Sequence, residues 1–211
     1  EAGFTAAAAA AVSAFDGDTH AALAELHASS LLSTRELRDG TLRFSLYEPV
    51  REFALASLTA DQLRALRARH RAWWPQWAAG FGATPALAAV RAEIPDIVSA
   101  MASAVADGVG AEAVRIALAV RAALNDVALP AGGLAALEAG LPTCDDAALK
   151  SQGHTLLGVL GFDAGQGEVA LRHVEAGLAL APPDSAERAR ALHAAASVRW
   201  RVTRSVEGIE A

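Results

Sequence analysis

The chain has 211 residues and a formal net charge of −6, and Lys150 is its only lysine. This acidic balance argues against a dedicated nucleic-acid-binding domain, which usually carries a basic excess. Cys144 is the only cysteine, so the sequence offers neither a disulfide framework nor a cysteine-based zinc site, and we expect the reducing cytoplasm as its location.

The N-terminal part of the chain predicts two helices followed by a β-hairpin. Alanine dominates the hydrophobic residues, which favours a mainly α-helical fold, and Thr5 is the predicted N-cap of the first helix. The Asp39-Gly40 pair is a strong hairpin signal, because both turn residues must tolerate a positive φ. Helices are expected over 6–15 and 19–29, and strands over 31–37 and 42–47.

A third helix is predicted directly after the hairpin, because Val50, Phe53 and Leu58 lie on one helical face. We expect them to pack the hairpin onto the following helix, around Leu63 and Leu66. On that expectation, Phe53→Ala would cost about 3 kcal/mol or more. Helices before a two-stranded wing and a helix after it form the pattern of a winged-helix domain.

The following helix begins with Thr59-x-x-Gln62, which matches a capping box. Its tryptophans are expected to form core, with one partly exposed indole at a domain junction. Pro75 is expected to kink this helix or to end it early. Thr84-Pro85 is expected to begin another short helix, since proline is tolerated in the first position.

From residue 93 onward the pattern predicts helical hairpins. Asp145 or Asp146 is expected to cap one of these helices, and Asp184 with Glu187 the last. Helices are expected over 93–107, 111–126, 132–140, 146–161, 168–181 and from 185 past residue 200.

The hairpin over 151–182 fits one tetratricopeptide repeat, a motif of about 34 residues that stacks two antiparallel helices. Leu157 and Gly158 stand where glycine lets the first helix touch the second. Ala170 stands at the close-contact alanine of the second helix, and Pro182 at the terminating proline. A poorer second copy begins near residue 189, with three residues in the places of Gly158, Phe162 and Ala170: Ala196, Trp200 and Gly208.

Several short segments of the sequence are specific in combination. They are Gly3-Phe4-Thr5, Ser29-Ser30-Leu31-Leu32, Arg43-Phe44-Ser45-Leu46, Glu48-Pro49-Val50-Arg51-Glu52-Phe53-Ala54, Arg69-His70-Arg71-Ala72-Trp73-Trp74 and Glu93-Ile94-Pro95-Asp96-Ile97. With them the chain resembles the C-terminal half of bacterial STAND-class signal-transduction ATPases, the AfsR-like and LuxR-like transcriptional regulators. The resemblance implies a winged-helix domain over 1–80, followed by a helical linker and tetratricopeptide-like repeats over 81–211, truncated at the C-terminus.

The same resemblance implies an intramolecular switch in the winged helix and a protein-binding or peptide-binding surface on the repeats. The Met-His-Asp motif of related plant and animal proteins falls on Leu46, Tyr47 and Glu48, without the histidine. Tyr47, Glu48 and Arg51 are the residues expected to hold the winged helix against a nucleotide-binding domain. No G-x-x-x-x-G-K-[ST] motif occurs, so we expect no catalysis and no cofactor in this chain, with ATP or ADP bound by the full-length parent.

The alternative function is a DNA-binding winged-helix transcription factor with an appended helical dimerisation or adaptor domain. Arg64, Arg67 and Arg71 lie on one helical face and are the candidate phosphate contacts. The acidic balance and the lack of lysine favour a solvated face instead. We therefore expect no direct DNA contact, and we expect no membrane association.

The remaining chemically active side chains predict no catalytic or metal site. His20 and His27 are two helical turns apart, too far for one ion without further ligands. The histidines of the repeat helices are expected to be packed or solvated, since no acid or nucleophile pattern joins them. The two carboxylates after Cys144 argue against a reactive thiolate.

Overall fold

The computed structural model describes residues 3–37, 40–82, 87–124 and 126–207. This part of the chain forms ten helices and one two-stranded antiparallel sheet, which confirms the mainly α-helical prediction. No helix in the described ranges is both long and apolar enough to cross a membrane. The chain divides into two compact units, Glu1–Trp73 (unit 1) and Trp74–Ala211 (unit 2).

The helices and strands follow one another along the chain with short connections. They are α1 Ala6–Ser13, α2 Thr19–Ala28, β1 Leu32–Glu36, β2 Leu42–Leu46, α3 Glu48–Ala56, α4 Ala60–Ala79, α5 Leu87–Ala106, α6 Gly110–Val120, α7 Ala131–Gly140, α8 Ala147–Asp163, α9 Gly167–Leu180 and α10 Ala186–Glu207.

The predicted β-hairpin is present in unit 1. Strands β1 and β2 pair antiparallel, with Leu32 opposite Leu46 and Thr34 opposite Phe44. Gly40 in the connection has a φ of +81°, as the turn prediction requires, while Asp39 lies outside the described residues. Leu32 and Phe44 are buried together with Leu23 of α2, so one face of the hairpin closes a small core.

A further bridge attaches the beginning of the described chain to this hairpin. Phe4 and Phe44 exchange two backbone hydrogen bonds of 2.8 Å each, and their rings stack with centroids 6.0 Å apart. Gly3 has a φ of +62°, and a Cβ there would lie 2.6 Å from the Phe44 carbonyl oxygen. Arg43 is buried and donates a hydrogen bond to the Gly3 carbonyl. Only glycine therefore suits the position before Phe4.

The helix starts in unit 1 follow the local sequence. Thr5 caps α1 by accepting from the Ala8 amide. Thr59 and Gln62 form the expected capping box, since each side chain accepts from the other residue's amide, at 3.2 and 2.8 Å. Helix α1 ends two residues earlier than predicted, because Ala14 adopts a left-handed φ of 52°.

The packing prediction for α3 is wrong, and so is one of the two alternatives expected at Pro75 in α4, the early end of the helix. Phe53 is 75% exposed and Val50 only half-buried, so α3 does not pack through Phe53 onto the helix around Leu63 and Leu66. Helix α4 continues as one helix past Pro75 to Ala79 and does not end early. The predicted helix start at Thr84-Pro85 lies outside the described residues.

Unit 2 contains the larger core. Helix α5 already begins at Leu87, runs through Pro95 and buries Ile94, Ile97 and Met101. Helix α6 is shorter than expected, because turns replace the helix after Val120. Helix α6 packs on α5, α7 and α8, and α8 packs on α9 and α10.

The predicted helix starts in the second half of the chain are partly confirmed. Asp146 caps α8 by accepting from the Leu149 amide. The start of α10 differs from the prediction, because Ser185, not Asp184, accepts from the Arg188 amide. Asp184 adopts a left-handed φ of 55° just before it.

Candidate functional site

A cavity of about 310 Å³ lies between α6, α8 and α10, and we call it the groove. Helix α6 and the turn after it supply one wall, α8 the floor and the first turns of α10 the other wall. The residues that line the groove are Leu118, Arg121, Ala122, Gln152, Thr155, Leu156, Val159, Glu187 and Arg190.

The chemistry of the groove is mostly apolar with a charged rim. Leu118, Leu156 and Val159 are half-buried, so they leave apolar surface on the floor. Arg190 is 3.3 Å from Glu187, a distance that holds both charged groups at the same edge. Arg121, on the opposite wall, is exposed and forms no ion pair with the described residues. The volume of the groove is at the lower end of the range that ligand pockets in proteins occupy.

The position of α8 is fixed from behind by α9. A Cβ on Gly158 would lie 2.5 Å from Val174 Cγ1 and 2.8 Å from the Ala170 carbonyl oxygen. A Cβ on Gly177 would lie 2.6 Å from Thr155 Oγ1, and Ser151 donates a 2.7 Å hydrogen bond to the Gly177 carbonyl. Leu157, Gly158 and Ala170 are buried at this contact, and exposed Pro182 follows the end of α9.

The two described residues of the expected second repeat copy lie on the outer face of α10. The buried face of this helix consists of Ala191, Ala194, Ala195 and Val198. Ala196 and Trp200 point away from the described core, and Trp200 is 60% exposed. Gly208 lies outside the described residues.

His154 and His173 are 19 residues apart in the sequence, and the structure places their rings in contact. Nδ1 of His154 and Nδ1 of His173 are 3.0 Å apart across the contact between α8 and α9. Glu138 of α7 lies next to them, with Oε1 3.5 Å from Nε2 of His173. The sequence predicted a helical hairpin with one histidine on each helix. It did not predict that the two rings meet, because that depends on the register between α8 and α9.

The residues expected to act as a switch lie together at the start of α3. Tyr47 is its exposed N-cap residue, and Arg51 donates from Nε to Glu48 at 3.0 Å and from Nη2 to the other oxygen. The hydrogen bond from Arg51 lowers the pKa of the Glu48 carboxyl. Both charged side chains are about half exposed, so a partner surface has access to them.

The candidate phosphate contacts on α4 do not form a continuous exposed stripe. Arg64 and Arg67 are exposed, and Arg64 pairs with Asp61 of the same helix. Arg71 is buried, so it is not available at the surface. Arg69 on the same helix donates to the Val12 carbonyl at the end of α1 at 2.6 Å, a contact that no local sequence pattern predicts.

Other candidate positions are accounted for by packing. Cys144 is buried, and burial raises the pKa of its thiol, which agrees with an unreactive group. Trp74 is buried and packs edge to face on Trp77 at 5.5 Å between ring centroids, while Trp73 and Trp77 are half-buried. No cluster of three or more potential metal ligands is present among the described residues.

Comparison with protein families, curated proteins and solved structures finds no match for the chain.

Proposed function

We propose that this chain is a non-catalytic regulatory and interaction module of a bacterial STAND-class signal-transduction ATPase or transcriptional regulator. In this proposal unit 1 is a winged-helix domain that acts as an intramolecular switch. Unit 2 is a tetratricopeptide-like array that binds a protein or peptide. The module works in the cytoplasm, and the ATP or ADP site belongs to another domain of the parent protein.

The order of elements in unit 1 supports the winged-helix assignment. Phe4 bridges to β2, two helices follow, and the hairpin of β1 and β2 comes next. The order is therefore extended segment, helix, helix, strand, turn and strand, with the first segment paired to the last strand. The turn at Gly40 corresponds to the wing.

The groove between α6, α8 and α10 is the observation that carries the proposed interaction function. Its apolar floor is accessible, although large apolar side chains usually avoid water. Arg121 adds positive charge to one wall, whereas Arg190 on the other wall is paired with Glu187. In helical repeat arrays, the stacked helices create such extended binding surfaces.

The exposure of α3 supports a role as a switch. Tyr47, Phe53 and Leu55 are exposed, and the Glu48–Arg51 pair lies on the same short helix. A nucleotide-binding domain that packs on this helix in one nucleotide state and leaves it in the other would couple the nucleotide state to unit 1.

The DNA-binding alternative is less well supported by the charge distribution. Helix α2 precedes the wing, where a recognition helix would lie, but it contains no lysine or arginine and carries Glu25. Phosphate contacts dominate affinity for DNA and require such cations. An electrophoretic shift assay at low salt separates the two functions, and tight, salt-sensitive binding would overturn the proposal in this form.

Selection from a peptide display library tests the groove directly. We expect selected peptides to bind the unmodified chain and to lose at least tenfold in affinity with Leu156→Glu and with Arg121→Glu. Leu180→Glu, at an exposed position of α9 outside the groove lining, is the matched control and should bind as the unmodified chain does. Circular dichroism must show unchanged helix content in all three variants. Equal binding by the groove variants would contradict the proposal.

The size of the native polypeptide tests the place of this module in a larger regulator. An antibody against the chain should detect a band far above 21.6 kDa in the cells of origin. A band near that mass would contradict a nucleotide-binding domain in the same polypeptide and would indicate a stand-alone adaptor.

A further inference from the structure

The hydrogen bond between His154 and His173 has a head-to-head geometry. Their Nδ1 atoms are 3.0 Å apart, and their ring centroids are 5.3 Å apart, so the two nitrogens lie between the ring centres. A metal ion between two nitrogens aligned in this way needs about 4 Å, since each bond is about 2 Å long. The observed distance instead suits one shared proton, in an N–H···N hydrogen bond.

The Glu138 carboxylate favours one assignment of the protons on the two rings. Its carboxylate can only accept, so the 3.5 Å contact favours a proton on Nε2 of His173. Nδ1 of a neutral His173 is then the acceptor, and Nδ1 of His154 is the donor. The three side chains connect α7, α8 and α9 through one arrangement of protons.

The surroundings of His154 oppose its protonation. Burial, followed by the charges of His173 and Lys150, lowers the pKa of His154, and Glu138 acts weakly in the opposite direction. Helices α6 and α10 also pack on α8, but no charged side chain from either contributes to this shift. His173 is more enclosed, with its side chain 14% exposed, but it has the Glu138 carboxylate beside it.

We propose that His154, His173 and Glu138 form a proton-operated latch between α8 and α9. The first added proton preserves the hydrogen bond, because one of the two Nδ1 atoms still accepts. The second proton puts a hydrogen on both Nδ1 atoms, which then repel each other. The latch therefore opens when both imidazoles are charged.

The tight contact between α8 and α9 limits how the structure can respond when the hydrogen bond between His154 and His173 breaks. Gly158 and Gly177 already bring the two helices into contact near the histidines, so the backbones have no free space to rearrange. Either His154 turns outward into solvent or the helix pair loosens. Both outcomes weaken unit 2 in mild acid, on the side of α8 opposite the groove.

The direction of the pH effect follows from linkage. The folded-state pKa of His154 lies below its ordinary value of about 6.5, so the unfolded chain binds more protons in the window between the two. The stability that depends on a neutral His154 is therefore complete above the pKa of the unfolded state, and it is lost as the pH falls from that pKa towards the lower pKa of the folded state.

An NMR titration of the imidazole signals of the full chain tests the latch. From about pH 8 to pH 5, His154 and His173 should titrate as a coupled pair in two steps. The melting temperature should fall with pH more steeply in the unmodified chain than in His154→Gln, which retains a hydrogen-bonding side chain without the charge. His193→Gln, at an exposed position of α10, should keep the full pH dependence.

Independent single-step titrations of the two rings would overturn the latch. An equal loss of melting temperature in the unmodified chain and in His154→Gln would overturn it as well. If His154→Gln does not fold, the titration of the unmodified chain decides the question alone. The result is independent of the peptide-binding function, because neither measurement uses a ligand.

Discussion

At the scale of single residues, glycines set how closely α8 and α9 approach. Gly158 was predicted from the repeat pattern, and the structure gives its physical reason in the short distances to Val174 and Ala170. Gly177 stands where the repeat usually has alanine, so the pattern did not predict its close contact with Thr155. That contact depends on the hydrogen bond from Ser151 to the Gly177 carbonyl, which is a tertiary feature.

Gly158→Ala should destabilise the chain by about 1–3 kcal/mol, because the new methyl group overpacks against the backbone of α9. Gly161→Ala is the matched control on the same helix. Its Cβ would lie 3.9 Å from that of Ala170, an ordinary contact, so the variant should gain about 0.5–1 kcal/mol of helix propensity. Urea denaturation measures the change in the free energy of unfolding for each variant. A change of the same sign in both variants would contradict the close packing at Gly158.

Phe53→Ala should change the free energy of unfolding by no more than about 0.5 kcal/mol, because the ring is 75% exposed. Phe44→Ala, a buried ring in the same unit, is the comparison and should cost about 3 kcal/mol or more. Thermal unfolding of the isolated chain distinguishes them. A large decrease in the free energy of unfolding for Phe53→Ala would instead support the packing of Phe53 that was predicted from the sequence.

At the scale of elements, the capping residues in the sequence predicted where many helices begin. They did not predict which helix faces are buried against other elements. The capping box at Thr59 and the cap at Asp146 depend on neighbours three residues away, so the sequence was sufficient. The apolar face of α3 was equally regular, yet Phe53 is exposed, because periodicity shows only that a face is apolar and not what covers it. The His154–His173 pair requires the register between two helices, which no local pattern contains.

The end of α1 depends on a side chain from α4. Arg69 donates to the Val12 carbonyl, one of the free carbonyls at the end of a helix, and adds a positive charge there. Arg69→Met should therefore cost about 1–3 kcal/mol. Arg64→Met, on the same helix and exposed beside Asp61, should cost at most about 0.5 kcal/mol. Equal urea midpoints for the two variants would show that Arg69 does not hold α1.

At the scale of the whole molecule, the two compact units differ in the size of their cores. The buried apolar side chains among the described residues of unit 1 are Leu23, Leu32 and Phe44. Unit 2 buries a much longer series, which includes Ile97, Met101 and Leu137. Since burial of apolar surface drives folding, unit 1 should be the less stable unit.

Calorimetry of the full chain should therefore show two transitions, with unit 1 melting at the lower temperature. Gly158→Ala should lower only the upper transition, because its contacts lie within unit 2. Arg69→Met should lower only the lower transition. A single transition that moves as a whole in both variants would show that the units unfold together.

The only lysine of the chain lies in the first turns of α8, beside Ser151, which is buried and bonded to α9. An endoprotease that cuts after lysine therefore has one target bond in 211 residues, and a protease needs several residues of extended chain to cut. Cleavage at Lys150 requires the first turns of α8 to unwind and Ser151 to release the Gly177 carbonyl of α9, so its rate in native buffer reports the opening of this end of α8. The appearance of two fragments on a gel would measure the local opening of unit 2 without any label.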